Sequence, residues 1–246
     1  MTPRFGASER LDFELEMGIY VRGGRPLGQS IPIEEAHDEI MGFCLLNDWS
    51  ARDVQRWEMF PLGPFLSKSF ATSISPWVIT AEALAPFRVP AMTRALEDPK
   101  PLRYLSDARD QANGGIDVQL DVSLSTSLMR QEGHKAAPIL RSNAQNLYWT
   151  PAQMIAHHTV NGCNLEPGDL IGTGTISGPN AGELGSMLEL TAAGSKPLLL
   201  GSGEERGFLQ DGDIVSFSGR CRRPGYASIG FGQCAGTVAA ARETIF

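Results

Sequence analysis

Leu11, Phe13, Leu15 and Met17 alternate with Asp12, Glu14 and Glu16. A period of two predicts a β-strand with one apolar face and one carboxylate-bearing face. The alternation recurs over Asp117–Leu128, where Val118, Leu120, Val122, Leu124 and Thr126 share a face. Further strands are expected at Leu170–Thr173 after a Pro167-Gly168 turn, at Met187–Leu190, and at Ile214–Phe217 after Asp211-Gly212. Helical spacing is confined to short segments. Ile33, Ala36 and Ile40 mark a helix over Ile33–Met41. Thr150-Pro151-Ala152-Gln153 forms a capping box with proline at the first helical position, so a helix is expected over Pro151–Val160, ending at Asn161-Gly162. A third, short helix opens at Ser50-Ala51-Arg52-Asp53 with a similar cap, and Pro99–Gly115 reads as a polar excursion loop. Strands outnumber helices without βα alternation. That argues against a doubly wound parallel sheet and for one β-rich domain.

Composition narrows the function classes. The 246 residues are 42% hydrophobic and 20% charged, with a net charge of -7. An acidic chain without a Lys/Arg cluster does not suit nucleic acid. No apolar run is long enough to span a bilayer, and Met1-Thr2-Pro3-Arg4 opens no signal-peptide apolar region. Cys44, Cys163, Cys221 and Cys234 lie far apart, which reads as reduced core thiols and a cytoplasmic compartment.

The candidate chemistry is carboxylate chemistry. Residues i and i+2 of a strand stand about 6.5–7 Å apart on one face, so Glu14 and Glu16 can reach one cation. The other reading is an acidic face turned to water. Asp48, in Leu46-Asn47-Asp48-Trp49-Ser50-Ala51-Arg52-Asp53, would complete an all-oxygen set suited to magnesium, calcium or manganese rather than zinc. Spacing alone does not bring the three together. Arg52 and Gln55 are three apart and share a helix face. Lys68 lies in the mostly apolar stretch Pro64–Phe70, where it either meets an anion or snorkels to the surface. Gly172–Pro179 is rich in glycine and hydroxyls but is no phosphate loop; it is an anion nest or a plain loop. His157 and His158 diverge by about 100° on a helix and cannot serve one site. Neither Cys163 nor His134 has a local triad partner.

At these residues the chain resembles the fumarylacetoacetate hydrolase family. The resemblance is carried by Leu-Asp-Phe-Glu-Leu-Glu-Met (11–17), Asn-Asp-Trp-Ser-Ala-Arg-Asp-Val-Gln-Arg-Trp-Glu (47–58) and Pro-Leu-Gly-Pro-Phe-Leu-Ser-Lys-Ser-Phe (61–70). It continues through Tyr-Trp-Thr-Pro (148–151), His-His-Thr-Val-Asn-Gly-Cys-Asn-Leu-Glu-Pro-Gly-Asp-Leu (157–170), Gly-Thr-Ile-Ser-Gly-Pro (174–179) and Gly-Ser-Met-Leu-Glu-Leu (185–190). The acidic strand and a looser Asn-Asp-x-Ser-Ala-Arg-Asp belong to the wider superfamily of acylpyruvate hydrolases and oxoacid hydratases. The fuller motifs around Trp49 and His157 are those of the fumarylacetoacetases.

The resemblance implies a mainly β, α+β fold, a mixed β-sandwich roll with few short helices that forms a homodimer and binds Mg2+ or Ca2+. It implies metal ligation by Glu14, Glu16 and Asp48, with Lys68 and Thr72 at a second cation site. Arg52, Gln55 and Lys68 match positions around a diketo acid substrate, Thr175 matches a substrate contact, and Glu189 matches the glutamate that supports a catalytic histidine. The implied reaction is hydrolysis of a carbon–carbon bond in fumarylacetoacetate, the last step of tyrosine and phenylalanine catabolism. Two departures are visible. The histidines at 37, 134, 157 and 158 lie in no matching context, and Met59 stands where the family places a tyrosine. Residues 1–246 are therefore expected to be the C-terminal catalytic domain alone, without the family's N-terminal domain, catalytic histidine or fourth carboxylate, and impaired in turnover. An acylpyruvate-type hydrolase and a non-catalytic metal-binding subunit are the alternative readings.

Overall fold

The alternating segments build two antiparallel sheets packed face to face. The structure is a computed structural model and describes residues 6–242; the opening Met1–Arg4 lies outside them. One sheet has Leu15–Val21 and Ile40–Asp48 at its centre. Leu170–Gly172 flanks the first, and Thr72–Ile74 and Ile79–Thr80 pair with the second. The other runs Ala137–Asn143, Gln119–Ser125, Ile214–Cys221, Ile229–Thr237.

Period-2 patterning sets what lies between them. Leu15, Met17, Ile19 and Val21 point inward from the first sheet, and Val118, Leu120, Val122 and Leu124 from the second; all are buried. Phe13 and Phe217 meet edge to face at 5.6 Å across the interface, a geometry aromatic quadrupoles favour. The result is the expected mainly β fold with short helices. Among the described residues no helix is long and apolar enough to cross a membrane.

Several elements differ from expectation, each for a local reason. The acidic strand is interrupted: Leu11–Asp12 pairs with Ser50–Ala51, Phe13 steps inward, and the strand resumes at Leu15. Met187–Leu190 is a helical turn rather than a strand, because Ser186 Oγ accepts from Glu189 N and caps it. The helix over Ile33–Met41 stops at Ala36, passes through a 3₁₀ turn and becomes the long strand at Ile40. Arg52–Glu58 is helical as expected, but its cap is Ala51 with no side-chain hydrogen bond. Pro99–Gly115 contains a helix, Ala108–Asn113, capped by Asp107. The Pro151–Thr159 helix has both bonds of its capping box, and Gly162 takes a positive φ after it. Cys44, Cys221 and Cys234 are buried free thiols, whereas Cys163 is only half-buried beside His158.

Candidate metal centre and substrate cavity

Antiparallel pairing of Leu15 with Asn47 brings Glu14 and Glu16 beside Asp48. Asn47 Oδ1 accepts from Glu14 N at 3.1 Å, and Asp48 N donates to Glu14 O at 3.3 Å, fixing the step in the acidic strand. The carboxylates of Glu14, Glu16 and Asp48 each offer an oxygen, all within 4.8 Å of one another. Their face does not point at water. Glu16 is buried under the Gly172–Pro179 loop, where Gly174 N donates to Glu16 Oε2 at 3.0 Å. The anion that loop amide holds is therefore one of the protein's own.

Two cations stand among these acids. Lys68 Nζ is 2.5 Å from Glu14 Oε2 and 3.2 Å from Asp48 Oδ2; it meets its anions inside and does not snorkel. Arg52 Nε donates to Asp12 Oδ2 at 2.8 Å, and Nη1 donates to Glu14 Oε1 at 2.7 Å and Gln55 Oε1 at 2.9 Å. Asp12 is fully buried and also accepts from Met187 N and Leu188 N, which ties the Met187–Leu190 turn to the site. Burial, then the charges of Glu14 and Asp48, push the Glu16 carboxyl up to about 8. Burial acts the same way on Glu14, but Lys68 and Arg52 outweigh it and hold that carboxyl below its ordinary value.

This donor set fits a hard divalent cation. Asp12, Glu14, Glu16 and Asp48 carry four charges when ionised, and Arg52 and Lys68 offset two. The double negative charge that remains, on oxygen ligands without His or Cys, suits Mg2+ or Ca2+. Burial, and after it the charges of Glu14 and Asp48, disfavour the ionised Glu16 carboxyl, and such an ion would favour it.

A cavity of about 490 Å3 opens from this centre, with Glu14, Arg52, Trp149, Thr175, Ser177 and Glu189 in its wall. Ser177 Oγ lies 2.9 and 2.8 Å from the two Glu189 oxygens, and Ser186 Oγ donates to Oε2 at 2.9 Å. Glu14, Arg52, Thr175 and Glu189 thus share one cavity, and Gln55 joins it through Arg52. Thr72 sits opposite Asp48 in strand register. Met59 is exposed at the end of the Arg52–Glu58 helix. None of the four histidines lines the cavity: His37 meets Asp110, His134 Glu132, His157 Tyr104 and His158 Cys163. Asp12 and the serines at 177 and 186 were not singled out from the sequence. Asp12 has the same even parity as Glu14 and Glu16, which was the available signal.

The family model described as fumarylacetoacetate (FAA) hydrolase C-terminal matches residues 1–239. The fumarylacetoacetases of Bos taurus and Homo sapiens are 52% and 51% identical over 236 residues, each alignment covering 96% of this chain and 54% of the relative. The Arabidopsis thaliana fumarylacetoacetase is 52% identical and 53% covered. This chain spans about half the length of these relatives. In fold it is similar to the fumarylacetoacetate hydrolase from Exiguobacterium antarcticum, with TM-score 0.52, 18% identity, and coverage of 95% of this chain and 58% of that one. It is similar, too, to the fumarylpyruvate hydrolase from Pseudomonas aeruginosa solved with Mn2+ and pyruvate, with TM-score 0.52, 17% identity, and coverage of 97% and 70%. With the acidic strand, the Asn47–Glu58 motif and the family match all in one chain, this protein belongs to the fumarylacetoacetate hydrolase family, in its C-terminal domain.

Proposed function

We propose that residues 1–246 form the catalytic domain of a metal-dependent hydrolase that splits fumarylacetoacetate and water into fumarate and acetoacetate. The observation that carries this reading is the convergence of Glu14, Glu16 and Asp48 at a cavity that also holds Arg52, Thr175 and Glu189. Mg2+ or Ca2+ would be held by those three carboxylates and would supply Lewis acidity toward the diketone oxygens. The remaining work falls to the chain. The Arg52 guanidinium, aimed by Asp12 and Gln55, and the Lys68 ammonium stabilise the negative charge that develops on the leaving enolate. The Thr175 hydroxyl and the Gln55 amide orient the substrate. Thr72, beside Asp48, joins Lys68 at a second cation position.

The proton acceptor for the attacking water is the weak part of this site. Glu189 is held by two hydroxyls, and among the described residues no imidazole lies beside it. We therefore assign the chain slow turnover and, from its similarity to fumarylacetoacetases, a place in tyrosine and phenylalanine catabolism in the cytoplasm. We assign it a homodimeric state as well. Trp57, Phe60, Leu62, Phe65 and Leu66 are all more than half exposed in the segment joining Arg52 to Lys68, a concentration of apolar surface that favours association.

Met59, which stands where the family places a tyrosine, leaves room for a second reading, an acylpyruvate-type hydrolase. A panel of fumarylacetoacetate and acylpyruvates, assayed with Mg2+, with Ca2+ and with chelator, tests both. Metal-dependent cleavage of fumarylacetoacetate that Asp48→Asn removes is the expected result. Preference for an acylpyruvate selects the second reading, and binding without cleavage of any member leaves a metal-binding subunit.

A further inference from the structure

The strands that carry the carboxylates at one end reach a second cavity, of about 310 Å3, at the other. There Val21 pairs with Ile40, and Arg22, Ile40 and Arg88 help line the wall. Arg22 lies six positions beyond Glu16, about 20 Å of extended chain, and the two cavities share no lining residue.

This second cavity is cationic, and its cations are unequally matched. Three guanidiniums, Arg22, Arg88 and Arg109, face it together with two carboxylates, Asp38 and Glu82. Both acids act on Arg22: Glu82 pairs with it directly, and Asp38 lies within its field. Among the described residues, Arg88 and Arg109 are in ion-pair contact with no carboxylate. Arg109 is exposed at the rim. Arg88 is half-buried, leans over the Phe43 ring at 5.9 Å, and has a buried Nη1 with no hydrogen-bond partner. Asp110, the acid whose field it feels, is hydrogen-bonded elsewhere through one oxygen, and the other has no hydrogen-bond partner among the described residues. Its Oδ2 accepts from Thr150 Oγ1 at 2.8 Å, and its Oδ1 faces His37 Nε2 at 3.1 Å.

A guanidinium drawn from water without an acceptor is costly, and the cost falls when an anion supplies one. We propose that this cavity binds a small oxyanion, a carboxylate or phosphate group held by Arg88 and Arg109. The planar fork of each guanidinium matches two oxygens of such a group, and the Asn113 amide offers a further donor. Asp38 and Glu82 oppose an anion, but the Arg22 pair neutralises Glu82, so a compact ligand lodged against Arg88 avoids most of that repulsion. Burial disfavours the Arg88 charge in the empty cavity, and the ligand offsets that.

The probes are inorganic phosphate and citrate, titrated calorimetrically into the metal-free chain at an ionic strength fixed with sodium chloride. Saturable binding of at least one probe is expected, and the tighter one identifies the ligand as phosphate-like or carboxylate-like. Arg109→Ala should weaken it about tenfold or more, the effect of losing a charge-assisted hydrogen bond. Arg88→Met/Arg109→Ala should abolish it, and Glu82→Gln should tighten it. Either probe could also settle at Arg52 and Lys68, but such binding survives the double substitution. Heats unchanged in the double variant therefore overturn the proposal, as does the lack of saturable binding for both probes. Should Arg88→Met prevent folding, Arg109→Ala decides alone: an affinity within about twofold of the unsubstituted chain overturns it.

Discussion

Lys68 Nζ stands 2.5 Å from Glu14 Oε2, so this ammonium and a bound cation draw on the same carboxylate. Its charge lowers the cost of crowding Glu14, Glu16 and Asp48 together, and for the same reason it opposes a second positive charge among them. At an effective dielectric near 20, like charges a few ångströms apart repel by several kcal/mol. Lys68→Met is therefore expected to bind Mg2+ or Ca2+ at least about tenfold more tightly, and Asp48→Asn at least about tenfold more weakly. Calorimetric titration of metal-free protein checks both; equal affinities in all three proteins would mean that the cation binds elsewhere.

The Asp12–Arg52 pair is the structural anchor of the site. Asp12 has no exposed surface, and it joins Arg52 to the backbone of Met187 and Leu188. Removing one member of a buried ion pair strands the other and typically costs about 3–5 kcal/mol. Asp12→Ala should lose stability of that order in urea unfolding and should weaken substrate binding as well, because Arg52 loses its aim. A loss below about 1 kcal/mol would show that water replaces the carboxylate.

Acid stability should report a network beside Thr126, just past the end of the Gln119–Ser125 strand. Glu204 accepts from the Thr126 and Ser202 hydroxyls and from Arg206, which together push its carboxyl down to about 2. Its folded pKa lies below its unfolded one. The stabilisation is therefore complete above about pH 4.5 and is lost as pH falls toward 2. Glu204→Gln should be less stable than the natural chain at neutral pH, and the gap should narrow steadily as pH falls through that window. Parallel stability curves down to pH 2 would exclude Glu204 as the titrating group.

What the sequence made legible was what depends on near neighbours. Thr150 and Gln153 are three residues apart, so their capping box could be read directly and is present in full. The alternation through Val118 and Leu124 likewise specified a strand and its buried face. Met187–Leu190 misled because four apolar-rich residues fit a strand or a helical turn equally well, and the deciding bond comes from the Ser186 hydroxyl. The acidic strand gave the face of Glu16 but not its surroundings. Its burial depends on a loop more than 150 residues away, at Gly174. The convergence on Asp48, the role of Asp12 and the inward pairing of Lys68 are all long-range. Sequence resemblance could name most of those residues, but it could not supply the contacts.

The last prediction concerns turnover. Ser177 and Ser186 occupy the Glu189 oxygens, and no histidine of the described residues lines the cavity. Without a general base, hydrolysis should run about 10²–10⁴-fold below what the same site achieves with one. Glu189→Gln should then change the residual rate by less than about threefold, since the carboxylate has nothing to support. Free imidazole should raise kcat/KM by entering the cavity as the missing base, and that rescue should be weaker in Glu189→Gln than in the natural chain. Steady-state assays of fumarylacetoacetate hydrolysis with and without imidazole measure all three effects. A fast reaction from the unsupplemented chain that Glu189→Gln abolishes would overturn this assignment, because it would make Glu189 itself the base.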